Sequence, residues 1–367
     1  MTDPFNPFKF GTDVDGEFFT DRTEELPKVR QMLAGHNHLV LISPRRYGKT
    51  SLVRKAILES GRPAVFVNVQ MAVSASALAE LLLKSFLSVH PWERFKESLK
   101  RFRAKPTFTY NIETNGMEVS FDTSVKGTVA LEDVLNLMDE KSDPQNRLIV
   151  VLDEFQEIVN LEAGTDKLLR GIMQLHKNIN YLFLGSEESM MTAIVEDIKS
   201  PFFHFGALMR LSRIPYDDFQ RFLVDRLKAI RGDKSDDEAR TILELTKCHP
   251  FYTQQLAAVF WDLCERNAEQ ATVQRAAEEI IRGLSAAYMI LWSKQNRTNR
   301  HILAVLSQGG KLQSIRDFPS STVYAAVARM KKDGVIVRDE EFVLEDPFFA
   351  LWIRQSMQQA AIGLPAS

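Results

Sequence analysis

The chain has 367 residues, more than a single hydrophobic core usually serves, so about two or three domains are expected. Hydrophobic residues at 45% and charged residues at 26% match an ordinary soluble globular protein. With 46 basic against 48 acidic residues the net charge is −2, which excludes a global basic field and leaves nucleic-acid binding to a local patch.

Residues 1–20 are rich in Pro, Gly, Asp and Phe and read as an extended arm. Asp21-Arg22-Thr23-Glu24 reads as a capping box, with Asp21 as N-cap and Glu24 at N3, opening a helix that ends near Gly35. The arm brings Phe18, Phe19 and Arg22 just ahead of the next strand. Folding over an adenine base and plain core packing are both open for Phe19.

Residues 39–52, LVLISPRRYGKTSL, run from an apolar strand through a tight turn into an apolar-periodic helix. That is the layout of a phosphate loop, G-x-x-x-x-G-K-[ST], with Ser43 in place of the first glycine. Backbone N–H groups across Ser43, Pro44, Arg45, Arg46, Tyr47, Gly48, Lys49, Thr50 and Ser51 are expected to face phosphates. Lys49 is expected to neutralise β/γ oxygens and the Thr50 hydroxyl to ligate Mg²⁺. If the first loop position needs positive φ, Ser43 is strained by roughly 1 kcal/mol or more.

The helix after the loop stops at Ser60-Gly61, and residues 64–69, AVFVNV, form a second buried strand. Residues 75–102 read as one or two helices broken near Pro91. Residues 106–121 switch to period-two alternation around Asn115-Gly116. A two-residue turn there pairs Ile112 with Val119 and Tyr110 with Phe121, giving either a projecting arm or, preferably, an added antiparallel edge.

Residues 148–154, LIVVLDE, are an apolar strand ending in two carboxylates. After a Gly-Lys-Thr loop this supplies Asp153 for the Mg²⁺ shell and Glu154 to polarise the attacking water. Residues 181–185, YLFLG, form another buried strand, which by resemblance to the additional-strand class of P-loop ATPases would lie between the loop strand and the acidic one. Its following Ser186 is expected to hold the nucleophilic water or to cap the helix at 187–196, and one hydroxyl can do both. Residues 208–214 supply the last strand.

From Tyr216 onward helices dominate. Ser235-Asp236-Asp237-Glu238 reads as a second capping box, and His249-Pro250-Phe251 opens a helix with proline in its first turn. Residues 271–295 form a long linking helix. Helices at 300–307 and 321–332, then Val335-Ile336-Val337 and Phe342-Val343-Leu344 around an acidic turn, give the winged-helix pattern. The outward face of 321–332 carries Tyr324, Arg329, Lys331 and Lys332, while the turn carries Asp339, Glu340 and Glu341, which repel phosphates. DNA is therefore a possible but not favoured partner, and an interaction or autoinhibitory module is preferred. Cys248 and Cys264 lack metal-ligand spacing and read as buried thiols of a reducing compartment. No apolar stretch reaches membrane-spanning length and the N-terminus lacks a signal-peptide layout, so a cytoplasmic location and no membrane partner are expected.

Together these segments resemble the archaeal-type ATPases within the STAND branch of the AAA-like P-loop ATPases. The resemblance is carried by FKFGTDVDGEFFTDRTEEL, SPRRYGKTSL, VVLDEFQEI, LFLGSEESMM, CHPFYTQQL and EDPFFALWIR, and it covers nearly the whole chain. It implies an α/β P-loop NTPase of the additional-strand class with a parallel sheet (residues 1–215, hairpin insert 105–122). An all-α helical lid (216–283) and a winged-helix domain (284–367) would follow. It also implies that Pro250 lies against the bound nucleotide. Ala207 stands where the family often has an arginine reaching the γ-phosphate, with Arg210 and Arg213 as nearby substitutes. The expected function is an ATP- and Mg²⁺-binding, slowly hydrolysing ATPase acting as a nucleotide-dependent switch, with Glu154, Lys49 and Ser186 as catalytic residues. A DNA-associated ATPase and a scaffold with lost hydrolysis are the alternatives. ATP and ADP are the small-molecule partners, a protein partner is expected, and oligomerisation is left open.

Overall fold

Apolar, β-branched runs without alternation require cover on both faces, and such runs form the inner strands of one five-stranded parallel sheet. The computed structural model describes residues 5–12, 16–19, 22–90, 95–111, 116–339 and 341–362. It divides into two units, one of Thr23–Arg45 with Lys49–Leu211 and one of Met1–Arg22, Arg46–Gly48 and Ser212–Ser367.

The first unit runs α1 (Glu25–Ala34), β1 (Leu39–Ile42), α2 (Lys49–Ser60), β2 (Ala64–Asn68), α3 (Ala75–Val89) and α4 (Lys96–Leu99). It continues with β3 (Pro106–Asn111), β4 (Gly116–Phe121), α5 (Gly127–Lys141), β5 (Leu148–Asp153), α6 (Thr165–Met173), β6 (Ile179–Gly185), α7 (Glu188–Glu196) and β7 (Ala207–Arg210). The sheet order is β2-β5-β6-β1-β7, so β6 lies between the loop strand and the acidic strand, as expected. Its central strands β1 and β6 are buried throughout, whereas the edge strand β7 alternates between half-buried and exposed. Adjacent registers, Ile42 with Gly185 and Leu152 with Phe183, bring the C-terminal ends of β1, β5 and β6 side by side. That end of an open α/β sheet is where ligands bind. Behind it, Phe155 stacks on Phe183 at 3.9 Å and both meet Phe202 edge-on.

Three local expectations are corrected. The hairpin exists, but Tyr110 pairs with Met117 and Phe108 with Val119, so each residue meets a partner four positions from the expected one. The connecting residues 112–115, including Ile112 and Asn115, lie outside the described residues. Alternation specifies a face, and an even slip leaves Val119 and Phe121 on the same buried face, so alternation cannot choose between these registers. The hairpin is a separate two-stranded sheet packed on α3, neither an added edge of the main sheet nor a free arm. Of the two capping boxes, the one at Ser235 does not form, and the other turns on Asp21. Asp21 lies outside the described residues, and Glu24 precedes α1 without a side-chain cap. Ser235 is already helical and Glu238 pairs with Arg231 instead. Pro91 likewise lies outside the described residues.

The second unit comprises the N-terminal arm and α8 (Tyr216–Arg231), α9 (Ser235–Thr246), α10 (Pro250–Asn267), α11 (Val273–Ser293), α12 (Arg297–Ser307), α13 (Ser320–Lys332), β8 (Ile336–Arg338), β9 (Phe342–Leu344) and α14 (Pro347–Ile362). One core runs through it, from Phe219 and Trp261 to Met330, Ile336 and Phe349. The arm joins that core: Phe8 packs edge-on against Phe222 and Trp261, and Asn6 bonds Asp262 and the Ala258 carbonyl. In α13 the residues Val323, Ala326, Val327 and Met330 face inward, as their spacing predicts. Among the described residues no helix is long and apolar enough to cross a membrane.

Two stability predictions follow from the first unit. A Cβ on Gly127, at the start of α5, would lie 2.5 Å from the Ser76 backbone nitrogen of α3. Gly127→Ala is expected to cost about 1–3 kcal/mol, read by chemical denaturation. His38 accepts a hydrogen bond from the Tyr181 N–H on Nδ1 and stacks on Phe205, which requires the neutral ring. Burial, helped by Arg147, Arg170 and His176, lowers its pKa from 6.5 to about 4. Between those values the unfolded chain binds more protons, so stability is full above pH 6.5 and falls as the pH drops towards 4. His176 and His249 are lowered too and act in the same direction. The unfolding midpoint should fall from pH 7 to pH 5, with a shallower fall in His38→Gln.

Candidate functional site

The tight turn after β1 is built by backbone geometry. Arg46 and Gly48 take positive φ, 66° and 84°, while Ser43 does not. The strain expected at Ser43 is therefore absent: that residue is fully buried, extends the strand pairing through its N–H to the Gly185 carbonyl, and donates its hydroxyl to Pro44 O. The left-handed position falls on Arg46, a cost the motif alone does not reveal.

Lys49 opens α2 and is 6% exposed. Its ammonium donates to the carbonyls of Ser43 and Pro44, each at 3.1 Å. Burial pulls its pKa down, opposed by the Glu154 and Asp153 carboxylates. Next to it, the Thr50 hydroxyl donates to Asp153 Oδ2 at 2.9 Å, joining the start of α2 to the end of β5. Burial raises the Asp153 pKa, against the Thr50 bond. A hydroxyl and a carboxylate in contact form a hard-oxygen pair that suits Mg²⁺, which takes few protein ligands and completes its shell with phosphate and water. The desolvated Lys49 likewise suits a polyanion. Among the described residues no cluster of three or more His, Cys, Asp or Glu side chains is placed to hold a metal by itself. Arg45 is exposed and lies 3.8 Å from Glu187, and Ser51 is buried.

Glu154 follows Asp153 in a left-handed conformation, φ 51°. Its Oε2 accepts from Ser186 Oγ and from Gln156 Nε2, both at 2.6 Å. Of the two expectations for Ser186, the cap is not made: α7 begins after Glu187 with no side-chain cap, and the hydroxyl goes to the carboxylate. Gln156 was not singled out in the sequence, although its position two residues beyond Glu154 was visible.

Arg46, Tyr47 and Gly48 belong by their contacts to the second unit. The Arg46 guanidinium lies over the Phe251 ring at 4.6 Å and reaches the Tyr252 hydroxyl at 3.5 Å. Tyr47 packs edge-on against His249 at 4.9 Å. Arg22, 3% exposed, donates to the carbonyls of Tyr47 at 2.7 Å and Ser212 at 2.8 Å. Phe19 is buried at 6% exposure. Pro250 is the first residue of α10, half-buried, behind the N-cap His249. His249 Nδ1 accepts from Phe251 N–H, so in the neutral ring Nε2 carries the proton and donates to Glu345 Oε1 at 3.0 Å. The two substitutes for an arginine at Ala207 are both engaged. Arg210 pairs with Glu196, and Arg213 meets the Lys247 carbonyl, Asp339 and the Tyr47 hydroxyl.

A family described as an ATPase domain predominantly from Archaea matches residues 19–256. Among solved structures, the chain resembles a Walker-type ATPase of Pyrococcus abyssi with TM-score 0.65 and 19% identity, covering 92% of this chain and 97% of that one. It also resembles the ORC2 protein of Aeropyrum pernix in its ADPNP–ADP complexes, with TM-score 0.54 and 15% identity, covering 97% of this chain and 99% of that one. At these identities the likeness shows the fold. No curated protein matches by sequence.

Arg22 carries a stability prediction. Arg22→Ala leaves two carbonyls without their donor, at about 1–3 kcal/mol for each buried one, and should lower the unfolding midpoint with no nucleotide present. Arg22→Lys should recover only part, since an ammonium does not reproduce the fork.

Proposed function

The chain belongs to the family of ATPase domains found predominantly in Archaea, and from that premise we propose a slowly hydrolysing, Mg²⁺-dependent ATPase that works as a nucleotide switch. The observation that carries this reading is the set Lys49, Thr50, Asp153, Glu154 and Ser186, joined at the ends of three adjacent strands. Backbone N–H groups of residues 43–51 cradle the phosphates, and Lys49 neutralises the β/γ oxygens. Thr50 and Asp153 would hold Mg²⁺, which would supply positive charge against the phosphates. Ser186 and Glu154 orient a water. Its oxygen bonds to the γ-phosphorus as the bond to the β–γ bridging oxygen breaks, its proton passes to Glu154, and ADP and phosphate result. Arg22 supports the loop in this reading by holding its backbone at Tyr47.

Slow turnover is supported by the pairing of Arg210 and Arg213 elsewhere, which leaves neither poised for a γ-phosphate. The switch is supported by loop residues 46–48 packing against His249 and Phe251 of the proposed lid, where His249 is tied to Glu345 and the nearby Arg213 to Asp339 of the proposed winged helix. A DNA role is less well supported. Arg329, Lys331 and Lys332 are exposed, but the β8–β9 turn carries Asp339 and Glu341, and Glu341 pairs with Lys311.

Glu154→Gln should abolish phosphate release, by about a hundredfold or more, while keeping ATP binding, and Lys49→Ala should lose binding. Equal release by wild type and Glu154→Gln would sink the hydrolytic reading. For the switch, Glu345→Gln should speed release of a fluorescent ADP about threefold to tenfold and alter limited proteolysis of residues 297–362. Unchanged release with an unchanged cleavage pattern would remove it.

A further inference from the structure

The amide of Gln156 is buried where an apolar side chain would fit more cheaply. The residue stands in the short 3-10 helix Phe155–Asn160 behind β5 and is 1% exposed. Its Nε2 donates to Glu154 Oε2 at 2.6 Å, while its Oε1 is buried with no partner among the described residues. An orphaned buried acceptor is destabilising, a cost that Met or Leu at the same place would avoid. Its slot is also specific: a Cβ on Gly185, the last residue of β6, would lie 2.9 Å from Gln156 Oε1 and 2.1 Å from Met191 Cγ. The ring stack of Phe155 on Phe183 holds the backbone on the other side of the same strand end. Glycine at 185 therefore makes the room that the amide occupies.

The destination of the amide proton gives the arrangement its meaning. Ser186 Oγ and Gln156 Nε2 converge on one oxygen of Glu154, and among the described residues no donor is recorded on the other. We infer that Gln156 is a positioning residue of the hydrolytic centre, which with Ser186 grips Glu154 Oε2 and turns Oε1 towards the attacking water. The inference rests on the hydrolytic reading above. Two bonds to one oxygen define the carboxylate plane, where a single bond from Ser186 would leave it free to rotate. The left-handed backbone at Glu154, which carries a conformational cost, coincides with the two bonds to its carboxylate.

Gln156→Met keeps length and volume and removes the donor. In the full-length protein it should lower kcat about tenfold or more, with KM for ATP and the affinity for a non-hydrolysable analogue within about twofold of wild type. Gln156→Glu, which sets a like charge against Glu154, should do the same if the methionine variant folds poorly. The distinguishing readout is a double-mutant cycle in single-turnover assays. In a Glu154→Gln background, Gln156→Met should cause no further loss, because Gln156 acts only through Glu154. A wild-type kcat in both Gln156 variants, a change confined to KM, or a loss that multiplies fully with that of Glu154→Gln would overturn the inference. If Glu154→Gln itself leaves turnover unchanged, the hydrolytic reading fails and the inference with it, a result distinct from those three.

Discussion

A lysine ammonium taken almost wholly out of water is the constraint on which the first unit turns. Lys49 has two carbonyls within 3.1 Å and two carboxylates that favour its charged form, yet burial still lowers its pKa. Carbonyl dipoles and half-buried acids compensate only part of a cation's lost hydration. A polyanion would supply the remainder, so the slot is built for a ligand more than for its own stability. The sheet order serves the same end, since placing β6 between β1 and β5 is what brings Ser186 and Glu154 beside the loop.

Backbone strain gathers in the same segments. Among the described residues, and apart from His204, the non-glycine residues with positive φ are Arg46 in the loop, Glu154 after the acidic strand, and Lys247 and Cys248 before the α10 N-terminus. Each costs of order 1–3 kcal/mol and persists only where neighbours over-determine it. Those neighbours are identifiable. Phe251 and Tyr252 hold Arg46, Ser186 and Gln156 hold Glu154, and Arg213 holds the Lys247 carbonyl. Strain and restraint coincide with the motifs that chemistry had already singled out, which packing alone would not require.

Strand order, helix faces and most of the site were legible because long-range chemistry constrains them. A Gly-Lys-Thr loop demands a strand before and a helix after, and an apolar strand ending in Asp153-Glu154 has one sensible place in such a sheet. What escaped was set by short-range competition. The Ser235–Glu238 capping box had the right residue types, but Glu238 gains more from the Arg231 guanidinium than from a backbone N–H. The hairpin slipped by an even number of residues because period-two patterning is blind to such a slip. Gln156 escaped because its buried neighbour Gly185 comes from a distant part of the chain, and only the fold shows that a glycine there opens a slot.

The same logic bears on how the proposed switch would be wired. His249 is fully buried and neutral, and its tautomer is dictated from both sides, with Phe251 N–H donating to Nδ1 and Glu345 accepting from Nε2. One imidazole thus ties the start of α10 to the residue before Asp346, whose carboxylate caps α14 through Phe348 N–H and Phe349 N–H and accepts from Tyr288 on α11. Tyr47 of the loop rests edge-on against that imidazole, and Arg46 sits over Phe251. A loop movement of an ångström would therefore have to be absorbed by a buried ring with no spare hydrogen-bonding freedom. Closely packed cores yield to such a demand by changing arrangement more than by bending. A switch of the proposed kind would thus have to repack His249 together with Glu345, whose Oε2 is already buried without a partner among the described residues.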